Sequence, residues 1–288
     1  MMLTHNSYTR VTLALDIVRK IGDGPYKGFH ELGTIKHQID LYDVVSVEES
    51  RFDSIECDDP AVPCDERNVC LKAVRLIQKN YNLDRHVRLT IRKRIPVMGG
   101  LAGGSANAAV TVALLNDLWQ LRLETSQLIK LGRSIGMDVP YYFIGGTTFD
   151  SEAGLRLESI ATGCTFVFVL ACPDFGVSTK EAYKGIDVGA VGSSRMLTTK
   201  LREALGADNR NEAVRFMHND FEGTLYPRFP RLSAIRHELL EAGCSAAQLT
   251  GSGSTVIGVA RDRVHAEEIR KKISCRTIIS ATLPRQAI

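Results

Sequence analysis

The segment Pro96-Val97-Met98-Gly99-Gly100-Leu101-Ala102-Gly103-Gly104-Ser105 constrains this chain more than any other. It follows a strand pattern ending near Ile95. It precedes a run in which Ala106, Ala109, Val110, Ala113, Leu114, Leu118 and Leu121 recur at spacings of three and four, the pattern of a helix that starts at Ser105 or shortly after. Four glycines in six positions admit positive φ angles and a close approach of the backbone to a ligand. The start of the following helix presents unpaired amides and the positive end of its dipole, so the junction favours a phosphate. A simple strand-to-helix turn needs only roughly one or two glycines. No Gly-Lys-Ser/Thr closes the loop, and its glycines do not fall as GxGxxG at a first strand, which excludes the common P-loop and the dinucleotide fingerprint. Ser105, at the helix entrance, is either an N-cap or a ligand to phosphate and magnesium. A second cluster, Thr250-Gly251-Ser252-Gly253-Ser254-Thr255, precedes a strand. By itself it reads as a turn, but two such loops in one chain strengthen the case for phosphate handling.

Composition narrows the setting. With 288 residues, 44% of them hydrophobic and 24% charged, the chain can bury one large core or two modest ones, which excludes disorder and coiled coil. A net charge of +3 excludes a sequence-blind nucleic-acid binder. Residues 1–10 are polar, and no run of about 18 uncharged apolar residues occurs, so a soluble, cytoplasmic protein is expected. Seven cysteines, without a CxxC pair, fit neither a disulfide framework nor a zinc site and are expected to be reduced thiols. His37, His86 and His218 have no partner at metal-ligand spacing and are assigned to surface or core.

Strand patterns fall at 11–18, 44–47, 87–91, 165–171, 255–260 and 276–282, and helix patterns at 68–78, 125–136, 232–242 and 264–273. Residues 21–28 read as a loop, 141–149 as turn and strand, and 186–199 as a mobile loop. The basic run Arg88, Arg92, Lys93 and Arg94 flanks the strand that leads into the glycine loop and reads either as a solvated strand face or as a source of positive potential for the nucleotide site. The alternation suggests α+β layers in two lobes, with a boundary between 154 and 163.

Residues 96–109, with Asp138-Val139-Pro140 about thirty residues on and Leu249-Thr250-Gly251-Ser252-Gly253 near the end, resemble the GHMP kinase superfamily of galactokinase and the homoserine, mevalonate and phosphomevalonate kinases. Gly28-Phe29-His30-Glu31-Leu32, Gly176-Val177-Ser178-Thr179 with Ala182-Tyr183, and Asn219-Asp220-Phe221-Glu222 are similar to the branch whose acceptor is cytidine diphosphate methylerythritol. The likeness runs in order over nearly the whole chain. It implies a two-lobed α+β fold, with a ribosomal-protein-like α/β ATP-binding lobe at 1–158 and a ferredoxin-like α/β plait at 159–288. It also implies ATP-dependent phosphorylation of that compound's 2-hydroxyl in the non-mevalonate isoprenoid route, with ATP and Mg2+, by a monomer or homodimer without nucleic-acid or membrane partners.

The resemblance assigns Asp138 and Arg10 to catalysis. Nucleotide binding falls to Asn68, Pro96, Val97, Met98, Gly99, Gly100, Leu101, Ala102, Gly103, Gly104, Ser105 and Ala106, with Ser105 also on the metal. Substrate binding falls to Thr12, Phe29, His30, Thr179, Gly251, Ser252 and Gly253. The family's opening Pro-Ala-Lys-Ile-Asn-Leu is replaced by Tyr8-Thr9-Arg10-Val11-Thr12-Leu13. Arg10 thus stands where a lysine pairs with the catalytic aspartate, and Thr12 where an asparagine lies near the substrate. Arginine is a planar fork rather than a compact ammonium, and Arg10→Lys is expected to keep or raise activity. Phe29 in place of tyrosine keeps an aromatic face. Taken alone, Asp138 also reads as a helix-terminating turn residue before Pro140, and Phe29-His30 as core. Two other readings stay open: a GHMP kinase for a different alcohol, and a catalytically silent nucleotide-binding relative motivated by Arg10 and Thr12.

Overall fold

Two long antiparallel strands, β1 (Met2–Lys20) and β2 (His30–Ser50), form the spine of the first lobe. The computed structural model describes all of the chain except residues 24–26, 29, 152–155, 187–191, 286 and 288. The sequence patterns at 11–18 and 44–47 are fragments of these strands. Elsewhere in β2 the buried positions include Lys36, His37, Gln38 and Asp43, polar residues that hide the apolar alternation of a strand. The register shifts between Tyr8 and Arg10, between Thr12 and Ala14, and between Ile17 and Arg19, and such bulges re-aim side chains. Arg10 faces Gln38 and Thr12 faces Lys36, so these four side chains share one face of the sheet.

The lobe continues through β3 (Ser54–Cys57), α1 (Val69–Tyr81), β4 (His86–Arg92), α2 (Gly103–Leu118), α3 (Thr125–Ile135), α4 (Val139–Tyr142), β5 (Thr147–Ser151) and β6 (Arg156–Ser159). On the edge of β2 away from β1, β4 pairs with 44–50 and β5 with 34–37. Asn68 caps α1 by accepting the Cys70 N–H, and Gly136 ends α3, as their patterns indicate. The stretch 141–149 departs from its reading, because Tyr141 and Tyr142 belong to the short α4. Helix α2 departs in two ways. It begins at Gly103, because Ala102 adopts a left-handed conformation (φ 55°) and its carbonyl accepts the Ala106 N–H. It is also buried around most of its circumference, Ala106, Ala108, Ala109, Val110 and Val112 being fully covered, rather than along one stripe. Its small residues let the sheet and the neighbouring helices approach from several sides.

The second lobe comprises β7 (Val167–Cys172), α5 (Thr179–Tyr183), α6 (Arg195–Gly206), α7 (Arg210–Arg215), β8 (His218–Asn219), α8 (Phe221–Arg228), α9 (Pro230–Glu241), β9 (Ala247–Leu249), β10 (Val256–Ala260), α10 (Arg263–Arg270) and β11 (Arg276–Ala281). Its antiparallel sheet runs β11-β7-β10-β9, the strand order of a ferredoxin-like plait. Strand β7 is apolar without interruption because its two faces feed different cores: Val169 and Ala171 pack in one, Phe168 and Leu170 in the other. The expected mobile loop at 186–199 is corrected at its end. Residues 187–191 lie outside the described part, and Arg195 to Thr199 open α6, whose Thr198, Leu201 and Leu205 are buried. His37 is a core residue, hydrogen-bonded to Thr147 and Thr282 at 2.8 Å each. The seven thiols are free. Among the described residues no helix is long and apolar enough to cross a membrane.

The lobes are joined where β8 adds in parallel to β1. There Asp220 accepts the Ile17 N–H at 2.8 Å and the Ser194 hydroxyl at 2.6 Å. Neighbouring Asp16 is 2% exposed, and its Oδ1 has no hydrogen-bond partner. Burial, and then the Asp220 carboxylate, raise its carboxyl to about 6 against the pull of Arg195. The folded chain therefore holds this proton more tightly than the unfolded chain does. Stability falls as pH rises from about 4 to about 6 and is level beyond. Asp16→Asn should raise Tm by roughly 2–6 °C at pH 7.5 and by nothing at pH 4; a gain independent of pH in thermal unfolding would rule out this titration.

Candidate functional site

The glycine loop is built from left-handed turns, with φ of 55° at Met98, 74° at Gly100 and 55° at Ala102. At Gly100 a Cβ would overlap the Thr250 carbonyl oxygen and lie 2.8 Å from the Gly253 nitrogen; at Gly251 it would lie 2.5 Å from the Gly100 oxygen. The two glycine clusters thus meet backbone to backbone, a contact that only glycine permits. Upstream, the fully buried Asp43 carboxylate accepts from Arg94 N (2.7 Å), Ile95 N (2.9 Å), Asn107 Nδ2 (3.0 Å) and Lys93 Nζ. One carboxylate therefore fixes both the exit of β4 and the first turns of α2.

Between the lobes lies a cavity of about 610 Å³, a size suited to small-molecule ligands. All ten residues from Pro96 to Ser105 line it, together with Asn68, Arg10, Thr12, Asp138, Thr179, Gly251 and Ser252. Asn68 is a wall residue whose side chain is already engaged, with Cys70 N at 2.9 Å and Pro63 O at 2.8 Å. At the rim the Thr179 and Ser252 hydroxyls lie 3.5 Å apart. Three expected site residues are placed elsewhere. Ala106 is fully buried, with its N–H on Ala102; Gly253 sits behind the loop against Leu249; and His30 stands one ring back, stacked on Tyr183 at 5.2 Å. Phe29 lies outside the described residues.

Ser105 is the third residue of α2 and not its N-cap. No side chain caps this helix end, so the amides of Gly103, Gly104 and Ser105 face the cavity rim without intrahelical acceptors. A Cβ at Gly104 would touch only Val69 Cγ2 at 3.7 Å, so the missing side chain leaves space to the cavity rather than to the core.

The charged centre lies across the cavity. Asp138, at the N-cap of α4, receives Arg10 Nη2 on Oδ2 at 2.8 Å and Lys36 Nζ on Oδ1 at 2.7 Å. Arg10 Nη1 also donates to the Gly100 carbonyl at 2.8 Å and to Thr12 Oγ1 at 3.1 Å. Lys36 Nζ in turn lies 2.5 Å from Asp150 Oδ2. The side chains of Arg10 and Lys36 are 6% and 5% exposed, whereas Asp138 keeps 31% of its side-chain surface open, enough for a ligand to reach it. Burial raises the Asp138 carboxyl, but Arg10 and then Lys36 outweigh it and hold the group far below the usual carboxylate range.

Lys36 and Asp150 were not legible as site residues. A lysine inside a strand reads as solvent-facing, and its partner is far away in sequence on β5. Tyr183 and Phe221, in edge-to-face contact at 5.0 Å, supply the cavity's aromatic wall.

GHMP kinases N terminal domain matches residues 68–146 and GHMP kinases C terminal matches 201–279. The chain is 36% identical to 4-diphosphocytidyl-2-C-methyl-D-erythritol kinase of Clostridium kluyveri, covering 91% of this chain and 92% of that one. It is 38% identical to the protein of the same name in Gloeobacter violaceus, over 84% and 81%. A crystal structure of 4-(cytidine 5'-diphospho)-2C-methyl-D-erythritol kinase superposes with a TM-score of 0.79 at 25% identity, covering 98% of this chain and all of that one. The chain belongs to the GHMP kinase family. It is a small-molecule kinase.

The contacts of Arg10 reverse the expectation for Arg10→Lys. A single ammonium does not span Asp138, Gly100 O and Thr12 at once, so turnover should fall by about tenfold or more in steady-state assays. Gly100→Ala should prevent stable folding or lower Tm by more than about 5 °C, through the positive φ and the overlap with Thr250. Gly104→Ala should leave Tm unchanged while raising KM for ATP about tenfold; equal effects of the two variants on Tm would show that both glycines serve packing alone.

Proposed function

We propose that this chain transfers the γ-phosphoryl group of ATP to the 2-hydroxyl of 4-diphosphocytidyl-2-C-methyl-D-erythritol. The observation that carries the reading is that the open edge of Asp138 and the uncapped start of α2 face one cavity. The names of relatives 36–38% identical over most of the chain support the acceptor.

Phosphoryl transfer asks the protein for positioning and charge neutralisation more than for covalent chemistry. Amides of Gly103, Gly104 and Ser105 bind the phosphate tail. Asp138 accepts the hydrogen bond of the acceptor hydroxyl and orients its oxygen toward phosphorus. A carboxylate this acidic is a weak base toward a free alcohol. It takes the proton late, once the oxygen is bonding to phosphorus and has become acidic itself, which suits a loose transition state. Arg10 holds Asp138 ionised and ties it to the glycine loop.

With Asp138 already covered by two cations, the cavity offers a metal neutral oxygens, the Ser105 hydroxyl at the helix start among them. That donor set suits Mg2+, which keeps waters and substrate phosphate oxygens as its main ligands. Mg2+ bound there would neutralise charge on the phosphate oxygens. Tyr183 and Phe221 offer the cytosine an aromatic wall, with Thr179 and Ser252 at the rim. The same reading divides the chain at 158/159 and describes a cytoplasmic monomer or homodimer.

Purified protein with ATP, Mg2+ and the cytidyl compound should release ADP. Turnover only on other alcohols would assign a different acceptor, and ATP binding without turnover on any alcohol a silent relative. Asp138→Asn should lower kcat by at least about a hundredfold and leave KM for ATP within about threefold. Unchanged turnover would remove Asp138 from the reaction.

A further inference from the structure

We propose that Lys36, braced by Asp150, is a positioning residue for phosphoryl transfer: its ammonium fixes the second oxygen of Asp138 and holds a positive charge at the cavity wall. The role rests on the reading above; the contacts themselves do not. A carboxylate gripped by one cation pivots about that bond. Asp138 is gripped at both oxygens, from β1 by Arg10 and from β2 by Lys36, so its plane is set by two strands whose register places Lys36 opposite Thr12. An ammonium has three N–H donors. Two meet Asp138 and Asp150, at 2.7 and 2.5 Å, and Lys36 lines the cavity.

Charge bookkeeping gives the same answer. Arg10 and Lys36 balance Asp138 and Asp150, a neutral group of four, three of them with side chains under a tenth exposed. Oδ1 of Asp150 is buried without a hydrogen-bond partner, so Lys36 is the main contact keeping that carboxylate charged. Were Lys36 present only to neutralise Asp150, an apolar pair of similar volume would serve the fold as well, since buried ion pairs seldom outperform such replacements. What an apolar pair cannot do is hold Asp138, the member of the group that opens to the cavity.

The groups that face Asp138 are Arg10 on β1, Lys36 on β2, Tyr141 and Tyr142 on α4, Asp150 on β5 and Tyr183 on α5. Of these only Arg10 and Lys36 are cations, so removing Lys36 leaves one cation to hold the carboxylate ionised.

The test compares the full-length wild type, Lys36→Met, and the double variant Lys36→Met with Asp150→Leu, which exchanges the inner pair for apolar groups. The double variant guards against misfolding of the single one, which leaves Asp150 unpaired. Both should lose at least about a hundredfold in kcat with KM for ATP within about threefold, and the double variant should melt within a few degrees of wild type. Recovery of kcat in the double variant to within about threefold of wild type would overturn the proposal, because Lys36 would then serve Asp150 alone. The second readout needs no acceptor: the Asp138 carboxyl, labelled with 13C-aspartate and assigned through Asp138→Asn, is titrated by NMR. Its midpoint should rise by at least about one pH unit in the double variant, a tenfold gain in proton affinity; an unmoved midpoint would overturn the proposal too. Wild type that fails to phosphorylate the cytidyl compound while this midpoint still shifts would refute the acceptor and leave the role of Lys36 standing.

Discussion

The backbone of Gly100 lies directly against the backbone of 250–253, and the rest of the site depends on that contact. Neither segment alone defines the cavity; each contributes one glycine-rich wall to it. Pressed together, they bring the start of α2, from the first lobe, beside the rim of the second lobe's sheet. The contact also leaves the Gly100 carbonyl where Arg10 reaches it, and Arg10 carries the link onward to Asp138. The spacing of the loop from the carboxylate is thereby set by one buried guanidinium held at Gly100, Thr12 and Asp138. Asp43 works on the other flank, tying the strand exit to α2 through Asn107, so the loop is held at both ends.

The electrostatics follow from this arrangement. A helix end without a cap awaits negative charge, while the two cations of the cavity wall and the two carboxylates beside them meet one another's charge. Under the proposed function such a centre would take up phosphate charge at the helix start, while Arg10 and Lys36 keep Asp138 from repelling it. The low proton affinity of Asp138 is therefore no defect in a residue proposed to orient a hydroxyl. It ensures that the carboxylate arrives ionised at every working pH, and the loose character of phosphoryl transfer places little demand on its basicity.

How much of this was legible in the sequence depended on whether a residue's role was local. Helices α1 and α3 were readable because each buries one face and ends on a recognisable residue, Asn68 for one and Gly136 for the other. The true start of α2 was not, because it rests on a left-handed alanine, Ala102, that carries no capping signal. Strand β2 was only half visible, since its centre buries Lys36, His37, Gln38 and Asp43, and burial of polar groups depends on partners that the chain supplies far away. The glycine clusters were each visible, but their contact was not. For the same reason Asp138 was singled out by its motif and Arg10 by the family position it occupies, whereas Lys36 and Asp150, separated by 114 positions, belong to no local pattern.

That difference bears on the unusual first motif. Exchanging a lysine for Arg10 looks, in sequence, like the loss of a compact charge beside the aspartate. In three dimensions the two tasks of such a residue are divided between neighbours on adjacent strands. The guanidinium has the reach and the paired nitrogens to join Asp138 to the glycine loop, which an ammonium lacks. Lys36 supplies the compact charge at the other oxygen, and Asp150 makes its burial tolerable. On that proposal an arginine at position 10 goes together with a lysine at position 36 and an acid at position 150, and these three positions should be altered as a unit if any one of them is to be changed without loss.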